Sequence, residues 1–261
     1  MTSKMKFNRI RFAAGFLLLL VFPLLSSGND LAADAFAQGN AAYAKGKYKE
    51  ALQQYNHVLR GGYESAKVFY NMGNVYYKLG EIPSALLYYE KAQRLAPGDA
   101  DVKVNIRLAN QKTADKIEDT TSFFLSRWWN ALIIGLSLNV LSVLSVVFIL
   151  SGSGFLILYF YSLVPAVKRA GFYSAMVFFM LGLTALFVAS SQLSYFKAHR
   201  AGIVFGSPVS VKSAPTDNGK SLFILHEGAK VELLEENGIW MKVRLANGNE
   251  GWMKGSEYKE I

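Results

Sequence analysis

Two apolar runs dominate this chain, residues 131–164 and 171–193, separated only by a stretch that carries Lys168 and Arg169. At 1.5 Å of rise per residue, the second run suits one crossing of a hydrocarbon layer about 30 Å thick, whereas the first is too long for one. A break at Ser137–Asn139 divides the first run. It leaves an interfacial elbow over 121–139, where Phe123, Phe124, Trp128 and Trp129 suit the headgroup layer, and a transmembrane helix over 140–163. The alternative is that Ser151-Gly152-Ser153-Gly154 ends this crossing early. The second transmembrane helix is 171–193, followed by the interfacial ring of Tyr195. Neither crossing contains an ionisable side chain, which argues against an ion or proton pathway and for a hairpin anchor in membrane lipid.

The remaining apolar segment lies at the start. Lys4, Lys6, Arg9 and Arg11 precede the apolar stretch 12–25, followed by Ser26-Ser27-Gly28. This is the three-part layout of a secretory signal over 1–28, about 21 Å long as a helix and so short of a full crossing. Cleavage is expected after Gly28 or near Ala32–Ala33; the alternative is an uncleaved anchor. In either case the basic end stays inside and the chain beyond the signal is exported. The net charge of +9 resides mainly here and beside the apolar runs, leaving both polar regions nearly balanced. No nucleic-acid partner is therefore expected.

Between Leu31 and Pro97 the sequence repeats with a period of 34: Gly39 recurs as Gly73, Gly46 as Gly80, Ala51 as Ala85 and Tyr55 as Tyr89. Each unit reads as a helix, a glycine-centred break and a second helix, with small residues where the helices approach closely. The second unit, with Phe69, Met72, Gly73, Tyr76, Ala85, Tyr89, Ala92 and Pro97, resembles the tetratricopeptide repeat. The first keeps Gly39, Ala51 and Tyr55 but departs at Gln38 and Tyr63. A helix from Ala100 to about Lys116 continues the phase and caps the stack, giving an all-α repeat domain over 29–120. The resemblance implies a concave peptide-binding face with Asn40, Tyr43, Tyr70, Asn71, Asn74, Tyr77, Lys78 and Asn105, flanked by Lys67 and Lys112. Asparagine amides one period apart can hydrogen-bond an extended backbone; the alternative is that they serve helix packing and solvation. A carboxylate clamp is not expected, because Phe36, Asp101 and Asn105 stand where the family has basic residues.

Beyond Tyr195 the pattern changes to five short β-type runs, Val209–Lys212, 222–225, 229–234, 240–245 and 250–253. Turn signals lie between them, including Asn237-Gly238 and Asn247-Gly248. Met241, Val243 and Leu245 alternate with Lys242 and Arg244, so one face is buried. Through Trp240 and the Gly251-Trp252 pair this region resembles a bacterial SH3-like domain, an all-β small barrel over 197–261. The resemblance implies recognition of peptide or peptidoglycan by an aromatic surface of Trp240, Trp252 and Tyr258. The alternative is that these rings close the core, the preferred reading for Trp252.

Chemistry-bearing patterns are sparse. His57, His199 and His226 stand apart, and the chain has no cysteine. No hydrolase elbow, zinc-binding helix or phosphate loop is present, so no catalytic residue, metal or cofactor is expected. Taken together, the parts describe a multidomain membrane protein. They resemble the Bacteroides aerotolerance group, whose members imply an inner-membrane location, two periplasmic modules and a cytoplasmic loop, here 164–170. The same resemblance implies von Willebrand factor A-domain membrane proteins as partners and a role in oxygen tolerance and envelope stress. The expected function is a non-enzymatic scaffold; the alternative is a peptidoglycan- or peptide-binding envelope sensor.

Overall fold

The computed structural model describes residues 30–116, 129, 131, 133–206 and 208–261. The signal reading, and Phe123, Phe124 and Trp128 of the elbow, lie outside the described residues. Five helices come first: α1 (Asp30–Ala44), α2 (Tyr48–Arg60), α3 (Ala66–Leu79), α4 (Ile82–Leu95) and α5 (Ala100–Asn110). Helix α3 starts where the Ser65 hydroxyl accepts the Val68 N–H, and Pro83 occupies the first turn of α4, where a missing N–H costs little. The Asp99 carboxylate accepts two backbone N–H groups at the start of α5. That helix ends at Asn110, shorter than expected.

The period of 34 is a packing period. A Cβ on Gly39 would lie 2.5 Å from the Tyr55 ring, and one on Gly73 would lie 2.5 Å from the Tyr89 ring. Each glycine therefore admits the tyrosine of the next helix against bare backbone. Ala51, Tyr55, Met72 and Val75 fill the first core. Ala85, Leu86, Tyr89 and Val102 fill the second, so α5 closes the stack over α4.

Two more helices are long and apolar enough to cross a membrane: α6 (Leu138–Tyr161, 24 residues) and α7 (Pro165–Ala198, 34 residues). The break at Ser137 is present, with its hydroxyl accepting the Val140 N–H. Ser151-Gly152-Ser153-Gly154 remains helical; Gly152 is buried against Phe179 and the Ser153 hydroxyl donates to the Ile149 carbonyl. The expected loop 164–170 is mostly helix, because Pro165 starts α7 and Lys168 and Arg169 lie within its first turns. Polarity marked where the apolar run ends, but the helical hydrogen-bond ladder extends beyond it. Near its other end, Gln192 is 1% exposed and donates to the carbonyls of Ile133 and Leu136, tying the segment before α6 to α7.

Helix α7 runs almost directly into an antiparallel sheet: β1 (Arg200–Val204), β2 (Val209–Lys212), β3 (Ser221–Leu225), β4 (Lys230–Asn237), β5 (Trp240–Arg244), β6 (Glu250–Lys254) and β7 (Tyr258–Glu260), in the order β3-β2-β6-β5-β4-β1-β7. Two strands exceed the expected five. Strand β1 is short, contains Gly202 and adjoins a helix, and it forms by pairing with β4 and β7. Val204, Val211, Val231, Met241, Val243 and Met253 make the SH3-like core.

Candidate functional site

Successive turns of α1, α3 and α5 bring the groove residues together and also engage them with one another. Tyr55 and Tyr89 hydroxyls donate to Asn40 Oδ1 and Asn74 Oδ1, both at 2.8 Å. The same oxygens accept from Asn71 Nδ2 at 2.8 Å and Asn105 Nδ2 at 2.9 Å. Asn105 Nδ2 also donates to the Tyr70 hydroxyl at 3.1 Å. Tyrosine, asparagine and asparagine thus form one unit, repeated every 34 positions and joining adjacent repeats. The packing alternative holds for much of this amide chemistry: Asn40 and Asn74 present their remaining N–H groups, and Asn71 and Asn105 their carbonyl oxygens. Burial pushes the Tyr55 phenol up to about 12 and that of Tyr89 higher still, so both are neutral donors at ordinary pH.

What stays open is a cavity of about 200 Å³ lined by Tyr43, Asn74, Tyr77, Lys78, Asn105 and Leu108. Lys112 lies over the Tyr77 ring at 4.3 Å. Leu108, 42% exposed, adds an apolar contact that the sequence reading omitted. Lys67 belongs elsewhere, beside Phe36 and Tyr63 in a separate hollow. The face therefore offers phenol rings, amide donors and ammonium groups around one leucine.

On the sheet, the expected aromatic surface divides. Trp252 lies half-buried beside Lys212 and Lys242, opposite Gly251 and Met253, which face inward by strand alternation. The expectation that Trp252 closes the core is overturned; aliphatic side chains fill it. Trp240 is 7% exposed but lies outside that core, with the Lys254 ammonium 5.5 Å from its ring centre. With Ile239 and Tyr258 it lines a cavity of about 360 Å³. Trp240 and Tyr258 share a cavity that Trp252 does not line, although the register puts both tryptophans on the outward face of β5 and β6.

The sequence reading missed the contact between the two modules. Ile203 and the partly buried Phe205 and Ile261 of the sheet pack into the same core as Phe69, Leu86 and Val102. Lys230 Nζ bonds Glu90 Oε2 at 2.7 Å, and the Asp115 carboxylate receives the His226 N–H at 2.7 Å with the His226 ring at 2.8 Å. Arg94 donates to the Ile261 carbonyl at 2.8 Å. No signal in the sequence pointed to these pairs; in the structure the buried Glu90 marks one of them, because a carboxylate is rarely buried without a partner.

Helix pairs of this geometry and a small seven-stranded antiparallel sheet define the class of the molecule. Residues 36–100 match the tetratricopeptide repeat, and residues 207–258 match the bacterial SH3 domain. The chain therefore combines a domain type associated with protein–protein interaction and one associated with cell-wall binding, linked by two long apolar helices. No protein of curated function matches it. Among the described residues no group of three or more His, Asp or Glu side chains could hold a metal ion.

Proposed function

We propose that this chain is a non-enzymatic scaffold of BatE type, anchored in a bacterial inner membrane by α6 and α7, with both modules in the periplasm. Its groove docks a partner protein of the Bacteroides aerotolerance group, a von Willebrand factor A-domain membrane protein. The observation carrying this reading is the joint core of repeats and sheet, which leaves the groove around Asn74 and Leu108 open.

Crosslinking in intact membranes, with identification of co-purifying proteins, tests the docking. Lys78→Glu combined with Leu108→Asp changes two exposed groove side chains and should abolish capture; undiminished capture rejects the groove. Topology has an independent test, because the natural chain contains no cysteine. Cysteines placed singly at Lys45 and Asn247 should react with an impermeant maleimide in spheroplasts, and one at Arg169 should not. The reverse pattern rejects the orientation.

A second reading rests on the Trp240–Tyr258 cavity. It makes the chain an envelope sensor that holds peptidoglycan or its peptide stems. The intact detergent-solubilised chain should then sediment with sacculi, and Ile239→Ser should release it without releasing partners from the groove.

A further inference from the structure

The largest hollow among those described lies where the three parts of the molecule meet. It encloses about 660 Å³ between the end of α4, the segment before α6, the end of α7 and the first strand of the sheet. Ile134, Gly135, Tyr195, Phe196 and His199 place it at the ends of both long apolar helices. If those helices cross a bilayer, as the proposed anchoring requires, this depth corresponds to lipid headgroups.

The charges of its wall are unequally satisfied. Lys230 is held by Glu90, and Arg200 forms a two-pronged pair with Glu260 at 2.8 and 2.7 Å, which raises its already high pKa. Glu232 is engaged by Arg244. The His199 ring contacts the Tyr195 carbonyl and stacks on the Tyr195 ring. Two cations remain. The Lys103 ammonium has no hydrogen bond or ion pair among the described residues. Arg94 uses one N–H on the Ile261 carbonyl, rests on the Phe196 ring at 5.4 Å and feels the Glu260 carboxylate that Arg200 already holds, leaving its other guanidinium donors without a hydrogen bond. The same hollow has apolar lining from Ala131, Ile134 and Pro97.

Two such cations beside an apolar lining at headgroup depth match an amphiphile with a negatively charged head. We infer that this cavity binds the phosphate of an anionic phospholipid through Arg94 and Lys103, with the start of an acyl chain against Ile134. A guanidinium fork suits phosphate oxygens, and an ammonium adds a point charge. The lipid would then fill the joint between repeats, sheet and anchor and fix the height of the groove above the membrane.

The test uses the intact chain in detergent, with phosphatidylglycerol, phosphatidylcholine or inorganic phosphate as probe and native mass spectrometry as readout. Wild type should retain phosphatidylglycerol at least about ten-fold better than phosphatidylcholine. Lys103→Glu should lower that retention about five-fold or more, the order expected for one basic side chain near an anionic surface. Lys45→Glu, an identical charge change far from the cavity, should not. Arg94→Lys should retain more binding than Arg94→Gln. Equal retention of the two lipids, or equal effects of Lys103→Glu and Lys45→Glu, overturns the site. Displacement of the lipid by millimolar inorganic phosphate overturns the lipid assignment in favour of a free phosphate ligand. Flotation with phosphatidylcholine vesicles separates the two readings. A chain that floats but lacks headgroup preference refutes the cavity alone; one that does not float refutes the anchor and this site together.

Discussion

Glu90 and Lys230, 140 positions apart, meet at 2.7 Å across the boundary between repeats and sheet, the carboxylate nearly enclosed and the ammonium half in water. The asymmetry matters. Lys230 can return to solvent at little cost, whereas Glu90 without its partner is a stranded buried charge.

Lys230→Met should therefore destabilise the junction by about 1–3 kcal/mol, and Glu90→Gln by clearly less, because a neutral amide is cheaper to bury. Denaturant unfolding of the full chain in detergent measures both. Equal losses would show that the carboxylate is better solvated than its burial indicates.

Gly73→Ala places a methyl carbon where the Tyr89 ring lies 2.5 Å away. Overpacking of this kind costs about 1–3 kcal/mol. Gly154→Ala, with nothing within 4 Å of the added carbon, should be nearly silent. A lowered melting temperature for the first variant and an unchanged one for the second is the expected result.

Asn74→Ala removes the oxygen that accepts both the buried Tyr89 hydroxyl and the Asn105 amide. An unsatisfied buried donor costs about 1–3 kcal/mol, so helicity should melt earlier. Tyr89→Phe, which leaves no such donor, should cost less. Alanine at Asn71 and Asn105 would likewise disturb inter-repeat bonds, so groove function is better probed at Lys78 and Leu108.

High pH should loosen the repeats. Burial foremost raises Tyr55 and Tyr76 from 10.0 to about 12, each favouring the neutral phenol in the folded state. That stability is fully present below pH 10 and lost as pH rises towards 12, when the unfolded chain ionises first. Far-ultraviolet circular dichroism should lose helical signal across this window. Helicity that survives unchanged well above it would contradict the prediction.

Met253→Ala should cost about 2–5 kcal/mol, the range for truncating a buried methionine, since Met253 is fully enclosed in the sheet core. Trp252→Ala should cost much less despite the larger side chain removed. Chemical unfolding of the two variants decides between them, and the opposite ranking would return Trp252 to the core.

Much of the architecture was legible because it depends on local order. The 34-residue recurrence of glycine and tyrosine sets the helix pairs, since each glycine meets the ring encoded a fixed distance later. Ser137 marks a helix start through its own hydroxyl. Asn237-Gly238 and Asn247-Gly248 fall at hairpin turns, where Gly238 and Gly248 adopt the left-handed backbone. That Asn40, Asn71, Asn74 and Asn105 come together on neighbouring helices was also readable from the period, but their bonding was not: an asparagine that binds a ligand and one that binds the next helix occupy the same sequence position.

The sequence by itself determined the kinds of element and their order, through apolar run length, glycine spacing and alternation. Tertiary structure alone decided that Arg200–Val204 is a strand, that Trp240 is covered while Trp252 is half-open, and that Glu90, Asp115 and Arg94 reach across to Lys230, His226 and Ile261. These outcomes depend on groups distant in the chain, and no local pattern encodes which of many equivalent charges and short apolar segments will meet. Burial selects among them only once both surfaces are formed.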